Sequence, residues 1–301
     1  MIIDCHCHIF TKQVIHNVTS RVALVEELEL GAAVEHRSEA RVLDESAREN
    51  HVDCCVLLPT ASPEKVRSEN ERYLSIAASF PRLRTLATLH PLMSHLADEA
   101  ERMLDRGIAG FKFSSFSQRF DLASVDAEKM FIMIQDTATR KKKACTIVLD
   151  TFTRADIHFG AQGEHLTTPA KLNAVVSRHP DLPFLAAHMG GLAADFHHIR
   201  FDLKPASNLY LDTSNAAHTL RADQFVDLLQ RHGADHVLFG TDWPWFDHAS
   251  EIPLIESLLD RAGFEPDQKE AVFRKNAETL FRIPRFPERS PERKSRGRNR
   301  S

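Results

Sequence analysis

Two rhythms of apolar and polar positions alternate along the chain. Short continuous apolar runs mark strands buried on both faces. They recur at 2–7, 53–59, 83–89, 108–113, 145–149, 184–187, 209–211 and 236–239. Between them the apolar positions take helical spacing, which predicts helices over 64–80, 94–106, 125–140, 169–178, 192–203, 222–231, 252–262 and 268–281. The polar, mixed-charge stretch 11–50 carries two weaker helical patterns, one on Val22, Val25, Leu28 and Leu30 and one on Val42, Leu43, Ser46 and Ala47. Eight strand–helix repeats predict the α/β class and a (β/α)8 TIM barrel, read as a single domain over 1–283. An open doubly wound sheet would need a glycine-rich fingerprint after a strand, and none is present.

Composition changes this picture little. The 301 residues are 43% hydrophobic and 27% charged, as in an ordinary globular protein, and a net charge of −4 points to neither nucleic acid nor membrane. Residues 284–301 differ: seven arginines or lysines stand against two glutamates, so this segment reads as a basic, disordered tail and leaves the rest at about −9. Nucleic-acid binding could rest on that tail alone. The five cysteines (an odd count), with no signal peptide and no apolar run of membrane-spanning length, place the expected location in a reducing cytoplasm.

The candidate chemistry lies at strand ends, the rim where such barrels build active sites. His6 and His8 close the first strand. At i, i+2 they share a face about 6.5–7 Å apart along the backbone, with Cys5 and Cys7 expected on the other, and two such imidazoles can hold one metal ion. The pairs needed to complete a zinc finger from Cys5-His6-Cys7-His8 are absent at finger spacing. Asp150 ends the fifth strand, His188 the sixth, and Asp242 follows the eighth. Gly190 and Gly191 read most simply as a tight turn. Lys112, inside the apolar Phe111-Lys112-Phe113, needs a partner, for which a substrate carboxylate or Asp150 would serve, and Arg119 is a second anion-binding candidate. Phe152, Trp243 and Trp245 are candidates for an apolar pocket wall, with core packing as the alternative. Cys54, Cys55 and Cys145 read as small buried hydrophobes.

His6-Cys7-His8, Ala187-His188-Met189-Gly190-Gly191 and Gly240-Thr241-Asp242-Trp243-Pro244 together resemble the amidohydrolase superfamily, in its branch of metal-dependent hydrolases and aminocarboxymuconate-semialdehyde-decarboxylase-like enzymes. Gly110-Phe111-Lys112-Phe113 through Gln118 and Phe120 resembles that branch's fourth-strand segment, and Asn276 to Phe281 its closing helix. The resemblance implies a mononuclear site, usually zinc, with His6, His8 and Asp242 as ligands and His188 as a catalytic neighbour. It departs at the fifth strand, where Asp150 stands in place of the histidine ligand. Two imidazoles and two carboxylates would leave a divalent ion formally neutral, which suits harder ions such as manganese. Some relatives act without metal, so that route stays open.

These readings predict a hydrolase of a small organic substrate with a C–N, ester or lactone bond, acting through a metal-bound or Asp242-activated water. The alternatives are a non-oxidative decarboxylase of a small carboxylic acid and an inactive barrel serving as a binding scaffold. The expected partner is a small, possibly carboxylated molecule. The resemblance also suggests a homodimer.

Overall fold

In the computed structural model, which describes residues 1–31 and 34–284, the apolar runs form eight parallel strands. These are β1 (Ile2–Cys7), β2 (Val52–Leu57), β3 (Leu83–Thr85 and Ala87–Thr88, interrupted at Leu86), β4 (Gly110–Phe113), β5 (Thr146–Leu149), β6 (Phe184–Ala186), β7 (Leu209–Asp212) and β8 (Val237–Leu238). Neighbours in sequence are neighbours in the sheet, all parallel. The interruption in β3 is bridged by Leu86 N–H on Leu57 O at 3.0 Å. The remaining seam, β8 to β1, is closed by Cys5 N–H on Phe239 O (2.9 Å), Asp242 N–H on His6 O (3.0 Å) and His8 N–H on Trp243 O (2.7 Å). The barrel therefore closes, and His6, His8 and Asp242 stand along its closing seam.

Helices cover the strands from outside, so strand side chains are buried on both faces. Phe111, Phe113, Phe131, Phe184 and Leu228 belong to the large layer between strands and helices. Ile3, Cys5, Cys54, Val56, Val148, Leu185 and Leu238 belong to a smaller core in contact with Leu280 and Phe281 of the closing segment. Each fully buried Leu or Phe contributes about 1.5–3 kcal/mol, whereas an exposed ion pair contributes roughly 0–1. Packing, rather than the many surface ion pairs, holds the barrel.

The predicted elements recur, with differences of which three bear on the site. The polar stretch after His8 contains an unpredicted helix, α1 (Lys12–Thr19), capped by the Thr11 side chain, before α2 (Val22–Glu27). Only Ile15 of α1 is buried, so its apolar periodicity is faint. The helix predicted over 192–203 is shortened to Phe196–Asp202, because Ala193 takes left-handed backbone (φ 56°) and the Asp195 side chain caps the helix. The helix predicted over 252–262 starts earlier, at His248, where the Asp247 side chain caps it. Among the described residues no helix is long and apolar enough to cross a membrane. The predicted basic tail lies, apart from Pro284, outside the described residues.

Candidate active site

β1 does not keep strict alternation. Cys5 packs in the inner core and Cys7 in the layer outside the strands, so the two cysteines do not share a face as expected. A register irregularity between Asp4 and Cys7 is the cause, since a slip of one residue exchanges the faces of everything after it. His6 and His8 nonetheless converge. Their Nε2 atoms are 3.1 Å apart, while His6 Nδ1 is 2.9 Å from Asp212 Oδ2 and His8 Nδ1 is 3.0 Å from Leu58 O. Those acceptors hold the proton on each Nδ1 and leave two Nε2 lone pairs facing one point. Asp242 Oδ1 completes the triangle at 3.7 Å from His6 Nε2 and 3.6 Å from His8 Nε2.

This donor set fits a divalent ion. Two tetrahedral Zn–N bonds of about 2.0–2.1 Å would leave their nitrogens about 3.3–3.4 Å apart, close to the observed separation. Without a cation, two lone pairs at that distance repel. The carboxylate and bonded carbonyl behind the two imidazoles are the outer partners that metal-binding histidines use. Gly240 permits the approach of β8 to β1, since a Cβ there would lie 2.9 Å from His6 Cβ.

His188 stands beside His6, ring centroids 4.9 Å apart. Its N–H reaches Asp212 Oδ1 at 2.9 Å, and its Nδ1 lies 2.8 Å from Ser214 O and 2.9 Å from Ser214 Oγ. Nδ1 thus donates to the carbonyl, and Nε2 is left for the pocket. Asn215 Nδ2 approaches Asp242 Oδ2 at 3.5 Å. His188, Asn215 and Asp242 hold left-handed backbone (φ 56°, 55° and 63°), unusual for residues with a Cβ. Three such residues around one point mark a place where conformation is constrained by more than local preference. Burial would raise the Asp212 carboxyl, but the charges of His6 and His188 and the bonds from His6 and Ser214 outweigh it and hold it well below the usual range. Burial, then the charges of His6 and Lys112, push the His8 imidazole well below its ordinary value, which keeps it neutral as a ligand must be.

Above this triangle lies a cavity of about 1030 Å³. His8, Lys112, Asp150, Phe152, His188, Asp242 and Trp245 line it. Over it lie α1 and α2, whose Val14, Val18 and Leu24 face the cavity. Ile15, Leu24 and Leu28 join Phe152, Trp245 and Phe246 in an apolar cluster of their own. Glu27 at the end of α2 ties this cover to the loop after β5 through Arg154 (2.9 Å) and His158 (2.6 Å).

Lys112 is buried, 1% exposed, and its ammonium has no hydrogen-bond partner among the described residues, so Asp150 does not neutralise it. Arg119 is exposed at the cavity edge. Two expectations need correction. Asp150 reaches the cavity wall but stays outside the group of converging ligand atoms. Its Oδ1 turns back to accept the Phe152 N–H at 2.9 Å, a local turn that fixes the side chain. Trp243 is not on the cavity wall. It is buried behind the seam, stacked on His248 and bonded through Nε1 to Arg37 O at 2.9 Å, and Trp245 takes the wall position. The left-handed turn at Asp242 redirects the chain, so strand alternation no longer tells which tryptophan faces the cavity.

Asp212, Ser214 and Asn215 went unassigned in sequence, although Asp212 ends an apolar strand as Asp150 does. So did Asp4 and His248, which meet at 3.1 Å behind the seam, both fully buried. Burial would raise Asp4, but hydrogen bonds and charge from His248 and a bond from Thr241 hold it below the usual range. Burial would likewise lower His248, but bonds from Asp4 and Cys55 outweigh it and push it up to about 10.

A profile described as amidohydrolase matches residues 3–283. The chain is 29% identical over 133 residues to the gamma-resorcylate decarboxylase of Rhodococcus jostii (strain RHA1), and the match spans 38% of each protein's length. Two solved structures share the fold. A dihydroxybenzoic acid decarboxylase from Polaromonas sp. JS666, with bound manganese and the inhibitor 2-nitroresorcinol, superposes with a TM-score of 0.64 and 20% identity, over 95% of this chain and 98% of that one. A probable 2-pyrone-4,6-dicarboxylic acid hydrolase from Acinetobacter baumannii, with citric acid bound, gives 0.63 and 12%, over 94% and 99%.

Proposed function

Because the chain belongs to the amidohydrolase family, we propose that it is a metal-dependent hydrolase of a small carboxylated substrate, with His6, His8 and Asp242 holding zinc or manganese. The catalytic unit in this reading is residues 1–283. The observation that carries it is the pair of Nε2 lone pairs 3.1 Å apart with Asp242 Oδ1 beside them, at the floor of a cavity. When bound, the ion supplies Lewis-acid polarisation of a substrate carbonyl and lowers the pKa of water.

The chain's own residues do the rest. Asp242, its second oxygen steered by Asn215, accepts the proton of the attacking water. His188, anchored through Nδ1 to Ser214, takes up on its free Nε2 the proton that Asp242 accepted and hands it to the leaving group, which restores both residues. Lys112 supplies a buried positive charge for a carboxylate, and Arg119 a second at the cavity edge. α1 and α2 keep bulk water away, which strengthens each of these interactions.

Non-oxidative decarboxylation is the second reading. The partial likeness to a resorcylate decarboxylase favours it. There the carbon–carboxylate bond breaks, its electrons stay on carbon, and His188 or Asp242 delivers the proton. The two reactions separate by product. Incubation with pyrone carboxylates and hydroxybenzoates in ¹⁸O-labelled water should place label in a new carboxylate if the enzyme hydrolyses. Release of CO₂ with a deuteron gained on carbon in heavy water would establish decarboxylation instead. Neither product from any of these substrates would reject the substrate class.

A further inference from the structure

The strand ends that carry His6, His8 and Asp242 are joined by a carboxylate that does not reach the cavity. Asp4 is fully buried. Its Oδ1 accepts the backbone N–H of His6 at 3.0 Å and of Thr241 at 3.1 Å. Its Oδ2 accepts Thr241 Oγ1 at 2.6 Å and His248 Nε2 at 3.1 Å. An ionised carboxylate has about four acceptor positions, and here all four are taken. Asp4, Cys55 and His248 lie close enough to suggest a second ion site, but that count leaves Asp4 no lone pair for a cation.

The four donors come from both sides of the barrel seam. His6 is a member of the imidazole pair, and Thr241 immediately precedes Asp242. The same seam is crossed by Asp242 N–H on His6 O at 3.0 Å, and Trp243 N–H bonds Thr241 Oγ1 at 3.1 Å. His248 reaches Asp4 from the first turn of the helix His248–Arg261. It is itself held by Ser46 at 2.9 Å and by stacking on Trp243. A left-handed residue such as Asp242 persists only when its surroundings over-determine it. The Asp4 bonds fix the Gly240–Thr241 peptide and the Thr241 side chain, one residue before it.

We propose that Asp4, with Thr241 and His248, is a positioning clamp that sets the placement of Asp242 relative to the His6–His8 pair. It acts through those residues and touches no substrate. This inference rests on the assignment of His6, His8 and Asp242 as ion ligands.

The test uses the full chain loaded with cobalt(II), whose visible d–d band reports ligand geometry. Chelator competition gives the affinity, and hydrogen exchange is followed on peptides containing the His6 and Thr241 amides. Asp4→Ala should weaken cobalt binding roughly 10- to 100-fold, the usual cost of losing an outer partner, change the band, and speed exchange of both amides. Asp4→Asn should restore most of all three, because its oxygen can still accept the two backbone N–H groups. Leu228→Ala, in the layer between strands and helices, should lower stability while leaving band, affinity and those amides unchanged. Should Asp4→Ala fail to fold, Thr241→Val removes the hydroxyl bond and is read the same way. Wild-type affinity, band and exchange in a folded Asp4→Ala or Thr241→Val protein would overturn the clamp. Should the wild type show no cobalt band, the ligand assignment fails, and exchange alone decides: faster at both peptides upholds the clamp, unchanged overturns it.

Discussion

Replacing Lys112 by Met should raise stability and lower affinity for carboxylates together. Lys112 lies in β4 between Phe111 and Phe113, which pack in the layer outside the strands, so its side chain points the other way, to the cavity. It is 1% exposed and its ammonium has no hydrogen-bond partner among the described residues. Burying an uncompensated charge costs several kcal/mol even after relaxation. Met matches the aliphatic stem and removes the charge, so a gain of about 1–3 kcal/mol is expected, a rise of a few degrees in Tm. A hydrogen bond to a charged group is worth about 1.5–3 kcal/mol, so affinity for a carboxylated ligand should fall roughly 10- to 150-fold. Calorimetric unfolding and titration with a benzene or pyrone carboxylate measure both on one preparation. A Lys112→Met protein that is less stable and binds the carboxylate as tightly as wild type would show that this ammonium is neither uncompensated nor a carboxylate partner.

Asp242→Asn should keep the fold and lose about 10²- to 10⁴-fold in kcat, as expected for a general base, measured by steady-state turnover. Trp243→Phe should cost about 1–3 kcal/mol in denaturant unfolding, because it strands the Arg37 carbonyl, with KM unchanged. Trp245→Phe should raise KM with less effect on stability. Among the described residues His232 has no hydrogen-bond partner on either ring nitrogen, and burial, helped by the charges of Arg231, His236 and Arg200, pulls it from 6.5 to about 4. The unfolded chain therefore binds the extra proton first, and stability falls as pH drops from 6.5 towards 4, by about 3 kcal/mol at most. Denaturant unfolding across that window should show His232→Leu losing correspondingly less.

The barrel was legible because burial on both strand faces leaves continuous apolar runs that local spacing reveals. Strand-end position likewise identified His6, His8, His188 and Asp242, since a polar residue closing an apolar strand has few places to go but the rim. Side-chain aim was not legible. Asp150 ends its strand as expected, yet a hydrogen bond to a backbone group two residues on decides where it points. Alternation separated neither Trp243 from Trp245 nor Cys5 from Cys7, because a left-handed turn and a register irregularity intervene. The Asp4–His248 pair spans 244 positions in sequence, a distance over which periodicity carries no information. α1 was missed because a helix that covers a cavity buries too little to show a clear stripe.

In the proposed reading the histidines closing the first strand and Asp242 hold a divalent ion on which activity depends. Elemental analysis of the purified protein, wild type beside the double variant His6→Ala/His8→Ala, tests it most directly. The wild-type chain should carry about one zinc or manganese, and the double variant should be folded by circular dichroism, metal-free and inactive. A metal-free wild-type protein with full turnover, or a double variant that keeps both its ion and its activity, would contradict it.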